Sequence, residues 1–221
     1  MTVRPTRVPL GAGGFAKLID VSRETLDRLI VYVDLLTNWN RRINLVGRDT
    51  VGDAWRRHIL DSAQLYALIP PGARILVDLG SGAGFPGLVL AILGVPEVHL
   101  IEADQRKAVF LREAIRITGA TATIHATRLD RVKPFIADVI TARALAPLGE
   151  LLEISADFRD FHTVCLFPKG RGLGEELTDA AKAWKMRPHI WPSQSDPSGG
   201  ILRLENIIRE PSASSYRDDH H

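Results

Sequence analysis

The chain has 221 residues, of which 45% are hydrophobic and 24% charged, a balance typical of globular proteins, and its formal net charge is only +2. So small a charge excludes the strongly basic whole-chain field that marks many nucleic-acid-binding proteins. The single cysteine excludes an intrachain disulfide and a thiolate metal cluster. The sequence contains no run of about twenty apolar residues, so no membrane-spanning helix is expected.

The first third of the chain predicts helices rather than strands. Residues 1–20 are rich in Gly and Pro and are expected to form a flexible lead-in. Ser22 is an expected N-cap, because apolar residues recur after it at helical spacing, at Leu26, Leu29, Ile30, Val33 and Leu36. Thr50 is a second expected N-cap, with Asp53 at the N3 position. Apolar residues then fall four apart, at Trp55, Ile59 and Ala63. Residues 21–72 are therefore predicted to form a helical extension.

From Arg74 onward, short apolar runs alternate with helical patterns, which predicts an α/β fold with a mostly parallel sheet. A glycine-rich stretch leads into a helix beginning near Pro86, and the following helix is expected to end at Gly119. The last two runs, MRPHIWP and GILRLENII, are separated only by a loop and so predict an antiparallel hairpin. Seven strands are expected in a domain of residues 73–210, and residues 211–221 are expected to be a disordered tail.

The glycine-rich stretch contains a dinucleotide-binding pattern. Gly82, Gly84 and Gly87 match G-x-G-x-x-G, and Glu102 follows at the distance of a ribose-binding acid. Two features weigh against a nicotinamide dinucleotide. Asp78 would bring a carboxylate toward an anionic pyrophosphate, and the chain is short for a dinucleotide domain plus a substrate domain.

A different pattern fits the same stretch better. Asp78, Gly80, Gly82 and Gly84 form D-x-G-x-G-x-G, which resembles the first motif of class I S-adenosylmethionine-dependent methyltransferases. That cofactor carries a cationic sulfonium and an ammonium but no phosphate, so a nearby carboxylate is favourable. Glu102 would accept hydrogen bonds from the ribose hydroxyls. The resemblance implies a Rossmann-like seven-stranded sheet with a C-terminal antiparallel hairpin, as in that class.

Further stretches narrow the resemblance to one family. NWNRRINLVG, RHILDSAQL, DLGSGAGFPG, TARALAPL and FPKG occur in this order. Together they resemble the 16S ribosomal RNA guanine-N7 methyltransferases, known as RsmG or GidB, over about residues 39–170. The resemblance implies transfer of one methyl group to N7 of a guanine in the decoding region of the small ribosomal subunit. It also implies cofactor contacts at Gly80, Phe85, Leu129, Asp130 and Arg143.

The acceptor atom determines which catalytic groups are needed. Guanine N7 carries an in-plane lone pair and no proton, so it can attack the methyl group without a general base. Catalysis then consists mainly of alignment and exclusion of water, and neither a catalytic triad nor a metal is expected. The candidate catalytic residues are Arg143 and Lys169, whose N–H donors would orient the guanine through its O6 edge.

Basic residues on the helical extension are candidates for RNA contact. As a group they are expected to bind phosphates, although for any single one a solvated helix face is the better interpretation. This set comprises Arg41, Arg42, Arg48, Arg56 and Arg57. Lys169, in the stretch FPKG, is a further candidate for RNA contact. His58 and Asp61 are expected to support the pocket, and Trp39 and Trp55 to lie in the core.

Several functions remain open from the residues alone. A nicotinamide-dependent oxidoreductase fits the glycine pattern, a small-molecule methyltransferase fits the cofactor motif, and a non-catalytic RNA-binding module fits the arginines. The expected partner is the small ribosomal subunit or its 16S RNA, bound by a monomeric, cytoplasmic enzyme with no membrane or metal involved.

Overall fold

The computed structural model describes residues 9–210. The expected disordered tail and residues 1–8 of the expected lead-in lie outside this range. The α-helices are Ala12–Phe15 (α1), Arg23–Asn40 (α2), Arg48–Val51 (α3), Asp61–Ala63 (α4), Gly87–Ile92 (α5), Gln105–Thr118 (α6), Leu148–Ile154 (α7) and Leu173–Ala180 (α8). A π-helix spans Trp55–Leu60, and 3₁₀ turns span Tyr66–Leu68, Leu129–Arg131 and Ala156–Phe158. None of the described helices has the length and apolar character that a bilayer crossing requires.

Seven strands form one sheet, as the sequence predicts. They are Ile75–Leu79 (β1), Glu97–Ile101 (β2), Ala122–His125 (β3), Val139–Ala142 (β4), Val164–Lys169 (β5), Trp184–Pro192 (β6) and Gly200–Arg209 (β7). Their order in the sheet is β3-β2-β1-β4-β5-β7-β6. Strands β1 to β5 are parallel, whereas β7 runs antiparallel to β5 and pairs with β6 as a hairpin. The strand order reverses beside β1, where α/β sheets bind ligands at the carboxyl ends of their strands.

The sheet is covered on both faces by apolar cores. One core joins α2, α5 and α6 to the sheet, with Tyr32, Leu88 and Phe110 fully buried in it. The other core packs α7 and α8 against the opposite face, around Leu152 and Phe167. Because α2 shares the first core with the sheet, the helical extension packs as part of the same folded unit.

The lead-in and the second predicted cap differ from expectation. Phe15 of α1 is fully buried and packs against Trp55 with ring centroids 5.5 Å apart, so this side chain anchors a short helix, residues 12–15, to the core within the expected flexible segment. The prediction of Thr50 as an N-cap is wrong, because α3 begins after Gly47. The Thr50 hydroxyl instead donates to the Gly47 carbonyl oxygen at 2.7 Å.

Two other predicted helix boundaries are confirmed. Ser22 is the N-cap of α2, and its hydroxyl accepts a hydrogen bond from the Thr25 amide at 3.1 Å. Gly119 ends α6 in the left-handed conformation with φ 60°, a geometry in which glycine carries no steric cost. Pro86 directly precedes α5. Pro86 therefore marks the end of the turn between β1 and α5, on which the site is built.

Candidate active site

The turn after β1 requires glycine at alternate positions. Gly80, Gly82 and Gly84 have φ values of 66°, 59° and 95°. A Cβ on Gly84 would lie 2.8 Å from both Leu88 Cβ and Tyr32 Oη, so any larger residue at this position would also clash with its neighbours. At Gly82 a Cβ would meet only the Gly80 carbonyl oxygen, at 3.9 Å. The middle of the turn is therefore an open backbone surface, of the kind that lets a ligand approach closely.

Asp78 lies beneath this turn rather than on its surface. Its side chain is fully buried. Oδ1 accepts a hydrogen bond from the Thr141 hydroxyl at 2.7 Å, and Oδ2 accepts one from the Gly87 amide at 3.2 Å. Burial raises the pKa of Asp78 to about 6, against the opposing effect of these hydrogen bonds. This placement differs from the expected carboxylate facing the ligand, and it removes the charge argument against a diphosphate.

Glu102 faces the turn from the end of β2. Its Oε2 accepts a hydrogen bond from the Gly82 amide at 2.7 Å, and its Oε1 accepts one from the Asp104 amide at 2.7 Å. The residue is 8% exposed. Each carboxylate oxygen has a second acceptor position. Glu102 therefore fixes the turn and keeps acceptor capacity for hydroxyl groups.

Leu129 and Asp130 lie in the 3₁₀ turn that follows β3, at the same edge of the sheet. Leu129 is half-buried against the core around α7 and α8. Asp130 is exposed and pairs with Arg128 at 3.2 Å, and this hydrogen bond lowers the pKa of the Asp130 carboxyl. Within residues 9–210, no hydrogen bond or ion pair joins Asp130 to the glycine turn.

Arg143, the first residue after β4, is the centre of a polar cluster. Its guanidinium donates to the Asp61 carboxylate at 3.2 Å, to the Arg57 carbonyl oxygen at 3.1 Å and to Nδ1 of His58 at 3.2 Å. It also lies over the Phe85 ring, 4.9 Å from the centroid. Three acceptors and one aromatic face thus hold this guanidinium in one orientation, with two of its five N–H groups left for a ligand.

The contacts of His58 fix its tautomer and charge. Because Nδ1 accepts from Arg143, Nε2 carries the proton and donates to the Thr50 hydroxyl at 2.9 Å. The ring stacks on Phe85 with centroids 4.9 Å apart. Burial and then the charges of Arg143 and Arg57 lower the pKa of His58 to about 3. His58 is therefore neutral at physiological pH, and it supports the cluster, as the sequence suggested.

The β6–β7 connection completes this cluster in a way that no sequence motif indicates. The Ser195 hydroxyl donates to Oδ1 of Asp61, and Gln64 Nε2 approaches the same oxygen at 3.3 Å. Gln64 also accepts from the Gln194 amide at 2.8 Å. Ser195 and Asp61 are separated by 134 positions in the chain, so only the fold brings them together.

Lys169 is paired within the protein. Its Nζ donates to Glu176 Oε2 at 2.7 Å and to the Ala146 carbonyl oxygen at 3.1 Å, and its side chain is 10% exposed. Glu176 Oε2 also accepts from the Leu148 amide at 2.8 Å. Lys169 therefore braces the segment after Arg143, and one of its three N–H groups is left for a ligand.

A cleft of about 680 Å³ brings these groups together, and we call it the acceptor cleft. Its charged and polar lining includes Arg57, His58, Asp61, Arg143, Lys169 and Ser195. Leu145 connects the cleft to the glycine turn, because it lines the cleft and its Cδ1 lies 2.7 Å from where a Cβ of Gly80 would be. The cleft and the glycine turn are therefore immediate neighbours.

The remaining arginine candidates do not form one group. Arg57 is exposed at the acceptor cleft and lies 3.9 Å from Asp196. Arg56 is mostly buried and pairs with Asp53 at 3.4 Å. Arg41, Arg42 and Arg48 line a different depression. Within residues 9–210, no cluster of three or more His, Cys, Asp or Glu side chains is arranged to hold a metal ion.

The chain is similar to proteins of one family. The family model GidB, described as rRNA small subunit methyltransferase G, matches residues 25–193. A relative from Rhodospirillum centenum, named ribosomal RNA small subunit methyltransferase G, is 58% identical over 205 residues, covering 91% of this chain and 95% of its own length. A relative of the same name from Rhodospirillum rubrum is 55% identical, covering 88% of this chain and 97% of its own.

Solved structures support the fold assignment. A variant of MtNAS in complex with S-adenosylmethionine matches with a TM-score of 0.56 at 15% identity, over 88% of this chain and 84% of its own. The ribosomal protein L11 methylase from Lactobacillus delbrueckii matches with a TM-score of 0.53 at 17% identity, over 66% of this chain and 78% of its own. At such low identity the likeness concerns the fold alone, and it confirms the Rossmann-like sheet.

Proposed function

The chain belongs to the GidB family of rRNA small subunit methyltransferase G proteins, and on that premise we propose that it methylates N7 of a guanine in the decoding region of 16S rRNA. It is an S-adenosylmethionine-dependent rRNA methyltransferase. Membership in this family excludes the nicotinamide-dependent oxidoreductase that the glycine pattern alone left open. The matches cover 95% and 97% of the length of these two relatives.

The glycine turn and Glu102 fit the cofactor. S-adenosylmethionine supplies an electrophilic methyl group on a sulfonium. Gly80, Gly82 and Gly84 present the close backbone surface, and the spare acceptor positions of Glu102 suit the two ribose hydroxyls. Asp78 shapes this turn from beneath. Phe85, Leu129, Asp130 and Arg143 complete the proposed cofactor residues.

The acceptor cleft fits a guanine whose N7 reacts without a base. His58 is neutral, and both of its ring nitrogens already have partners, so it positions Arg143 instead of accepting a substrate proton. The guanidinium of Arg143 is held by its three acceptors before substrate arrives, and its two remaining N–H groups would donate to guanine O6. The spare N–H of Lys169 is a second donor at the same cleft. Alignment of this kind can lower a barrier by roughly 7–11 kcal/mol.

RNA contact would extend outward from the cleft. Arg57 lies on its rim and Arg56 is its neighbour on the same π-helix, whereas Arg41 and Arg42 line the separate depression. Phosphate contacts by these side chains would supply most of the affinity and make it dependent on salt. The partner is the small ribosomal subunit or its 16S rRNA, the enzyme acts as a monomer in the cytoplasm, and no metal takes part.

One observation carries the proposal: the acceptor cleft directly adjoins the glycine turn through Leu145 and the Arg143–Phe85 contact. The test is methylation of small ribosomal subunits from cells that lack this gene, with purified protein and labelled S-adenosylmethionine. Mass mapping of the RNA should show one N7-methylguanine in the decoding region. Methylation of another atom, or equal methylation of small molecules without RNA, would overturn the proposal.

The variant Arg143→Lys separates positioning from cofactor binding. Lysine keeps the charge but cannot reproduce a planar guanidinium that donates to three acceptors. We expect kcat to fall about 10²-fold or more, as for other positioned donors, and the affinity for S-adenosylmethionine, measured by calorimetry, to fall much less, because the glycine turn and Glu102 supply other proposed cofactor contacts. Unchanged kcat in this variant would remove Arg143 from the proposed catalytic residues.

A further inference from the structure

A second depression lies on the other side of the helical extension, and we call it the basic groove. It measures about 660 Å³. Arg41, Arg42 and Arg48 line it from the segment after α2, and Arg106 and Lys107 line it from the start of α6. The two sets lie more than fifty positions apart in the chain, so the groove exists only because α2 and α6 pack together.

The groove carries a strong excess of positive charge. Among residues 9–210, no carboxylate lies within 4.0 Å of the charged groups of Arg41, Arg42, Arg48 or Lys107. By contrast, Arg116 on the same helix α6 pairs with Glu113 at 2.7 Å.

Asp104 is the one acid lining the groove, and it is occupied locally. It caps α6 by accepting from the Arg106 and Lys107 amides, at 2.8 and 3.4 Å. Its side chain meets that of Arg106 only at 3.4 Å, and Arg106 is 76% exposed. Five cations thus line the groove against one acid, whose Oδ1 caps the helix and whose Oδ2 lies 3.4 Å from Arg106.

A single stretch of chain separates the basic groove from the acceptor cleft. Leu45, Val46, Gly47 and Thr50 line the acceptor cleft, whereas Ile43, Asn44, Arg48 and Val51 line the groove. Asn40 fixes this stretch, because its Oδ1 accepts from the Leu45 and Val46 amides at 2.8 and 3.0 Å. Residues 43–51 therefore form a ridge that has one depression on each side.

We propose that the RNA straddles this ridge, with the target guanine in the acceptor cleft and the phosphates of adjoining nucleotides in the basic groove. The inference rests on the proposed function and adds Arg106 and Lys107 as phosphate contacts. Planar guanidinium groups on two facing walls match the oxygens of successive phosphates. Because the lining is polar and cationic rather than apolar, it fits a polyanion better than it fits a folded protein surface.

Site-specific crosslinking tests the path of the RNA. The native Cys165 is fully buried, and burial raises its pKa to about 12, so an introduced surface cysteine can be labelled selectively. The variants Arg48→Cys and Lys107→Cys would carry a short RNA-reactive crosslinker. Arg112→Cys is the matched control, because it is an exposed arginine on α6 outside the groove.

With small subunits as substrate, both groove variants should crosslink to nucleotides that adjoin the methylated guanine in sequence, and the control should not. Crosslinks confined to ribosomal proteins, or to RNA remote from that guanine, would overturn the proposal.

Salt dependence provides a second measurement with protein-free 16S rRNA. For the double variant R48A/K107A, the slope of log K against log salt concentration should become shallower by about 1.4, which corresponds to two phosphate contacts on single-stranded RNA. KM for the RNA should rise, while kcat and the affinity for S-adenosylmethionine stay at the wild-type values. Arg112→Ala should leave the slope unchanged.

The experiments refute the proposed function and the assignment of the groove by different results. If the wild-type protein neither binds nor methylates small-subunit RNA, the proposed function is wrong. If the wild-type protein methylates normally and R48A/K107A has the same slope and KM as Arg112→Ala, only the assignment of the groove is wrong.

Discussion

Asp78 offers a sharp test of the site's electrostatics through the variant Asp78→Asn. Burial raises the pKa of Asp78 from 3.8 to about 6 in the folded protein. A raised carboxyl pKa means that the folded state holds the proton more tightly than the unfolded chain does. This contribution to stability is therefore complete below pH 3.8 and is lost as the pH rises toward 6 and above. At 1.36 kcal/mol per pKa unit the whole loss is about 3 kcal/mol, of which about 2 kcal/mol falls between pH 4.5 and 8.

Asparagine has the same shape but no titration, so the pH-dependent loss should be absent from the variant. Any fixed cost of the substitution is the same at both pH values and cancels in the comparison. Urea unfolding of both proteins at pH 4.5 and pH 8 gives the necessary free energies. The stability of Asp78→Asn relative to wild type should improve by about 2 kcal/mol from the lower to the higher pH. No improvement, or a change of the opposite sign, would refute the buried-carboxylate account of the turn.

Three further outcomes follow from the same site. Thr141→Val removes the hydroxyl that donates to Asp78, so it should destabilise the protein by about 1.5–3 kcal/mol at pH 8 and by less at pH 4.5, in the same urea assay. Gly80→Asp should abolish S-adenosylmethionine binding in calorimetry while RNA affinity persists, since Gly80 has φ 66° and lies against Leu145; Gly72→Asp, at φ 85° in open space, is the control that should bind normally. Because the pKa of His58 is lowered to about 3, NMR of its imidazole should show no titration between pH 5.5 and 7.5; a titration of that ring centred near 6.5 would contradict the neutral His58, and the NMR signal, unlike kcat, does not depend on the titration of Asp78.

Periodicity was sufficient to predict the number of strands, their mostly parallel arrangement and the terminal hairpin. These features depend on local patterns: apolar runs of strand length, glycine at φ-positive turns, and hydroxyl or glycine caps such as Ser22 and Gly119. The glycine turn was predictable for the same reason, because its backbone conformation restricts the residue type.

Where the predictions and the structure differ, tertiary contacts determine the conformation of the residue. Threonine is a common N-cap residue, but the Thr50 hydroxyl donates to the Gly47 carbonyl oxygen and accepts from the His58 ring. Asp78 stands opposite Thr141 in the β1–β4 register, and that pairing turns the carboxylate inward. A single sequence does not reveal strand register, so the direction of Asp78 could not be predicted.

Contacts between residues that are far apart in the sequence could not be predicted from local patterns either. Ser195 joins Asp61 through the β6–β7 connection, which carries no motif. The basic groove unites arginines after α2 with Arg106 and Lys107 on α6. Such groupings depend on how helices pack, which is a property of the whole core.

The central claim is that the turn after β1 holds the methyl donor while the adjoining cleft presents a guanine of 16S rRNA. The most direct measurement is a mass map of methylated nucleotides in small-subunit RNA from cells with the gene, without it, and with only the Gly80→Asp form. We predict that one N7-methylguanine in the decoding region is present with the wild-type gene and missing in the other two. An unchanged map after deletion of the gene would contradict the account.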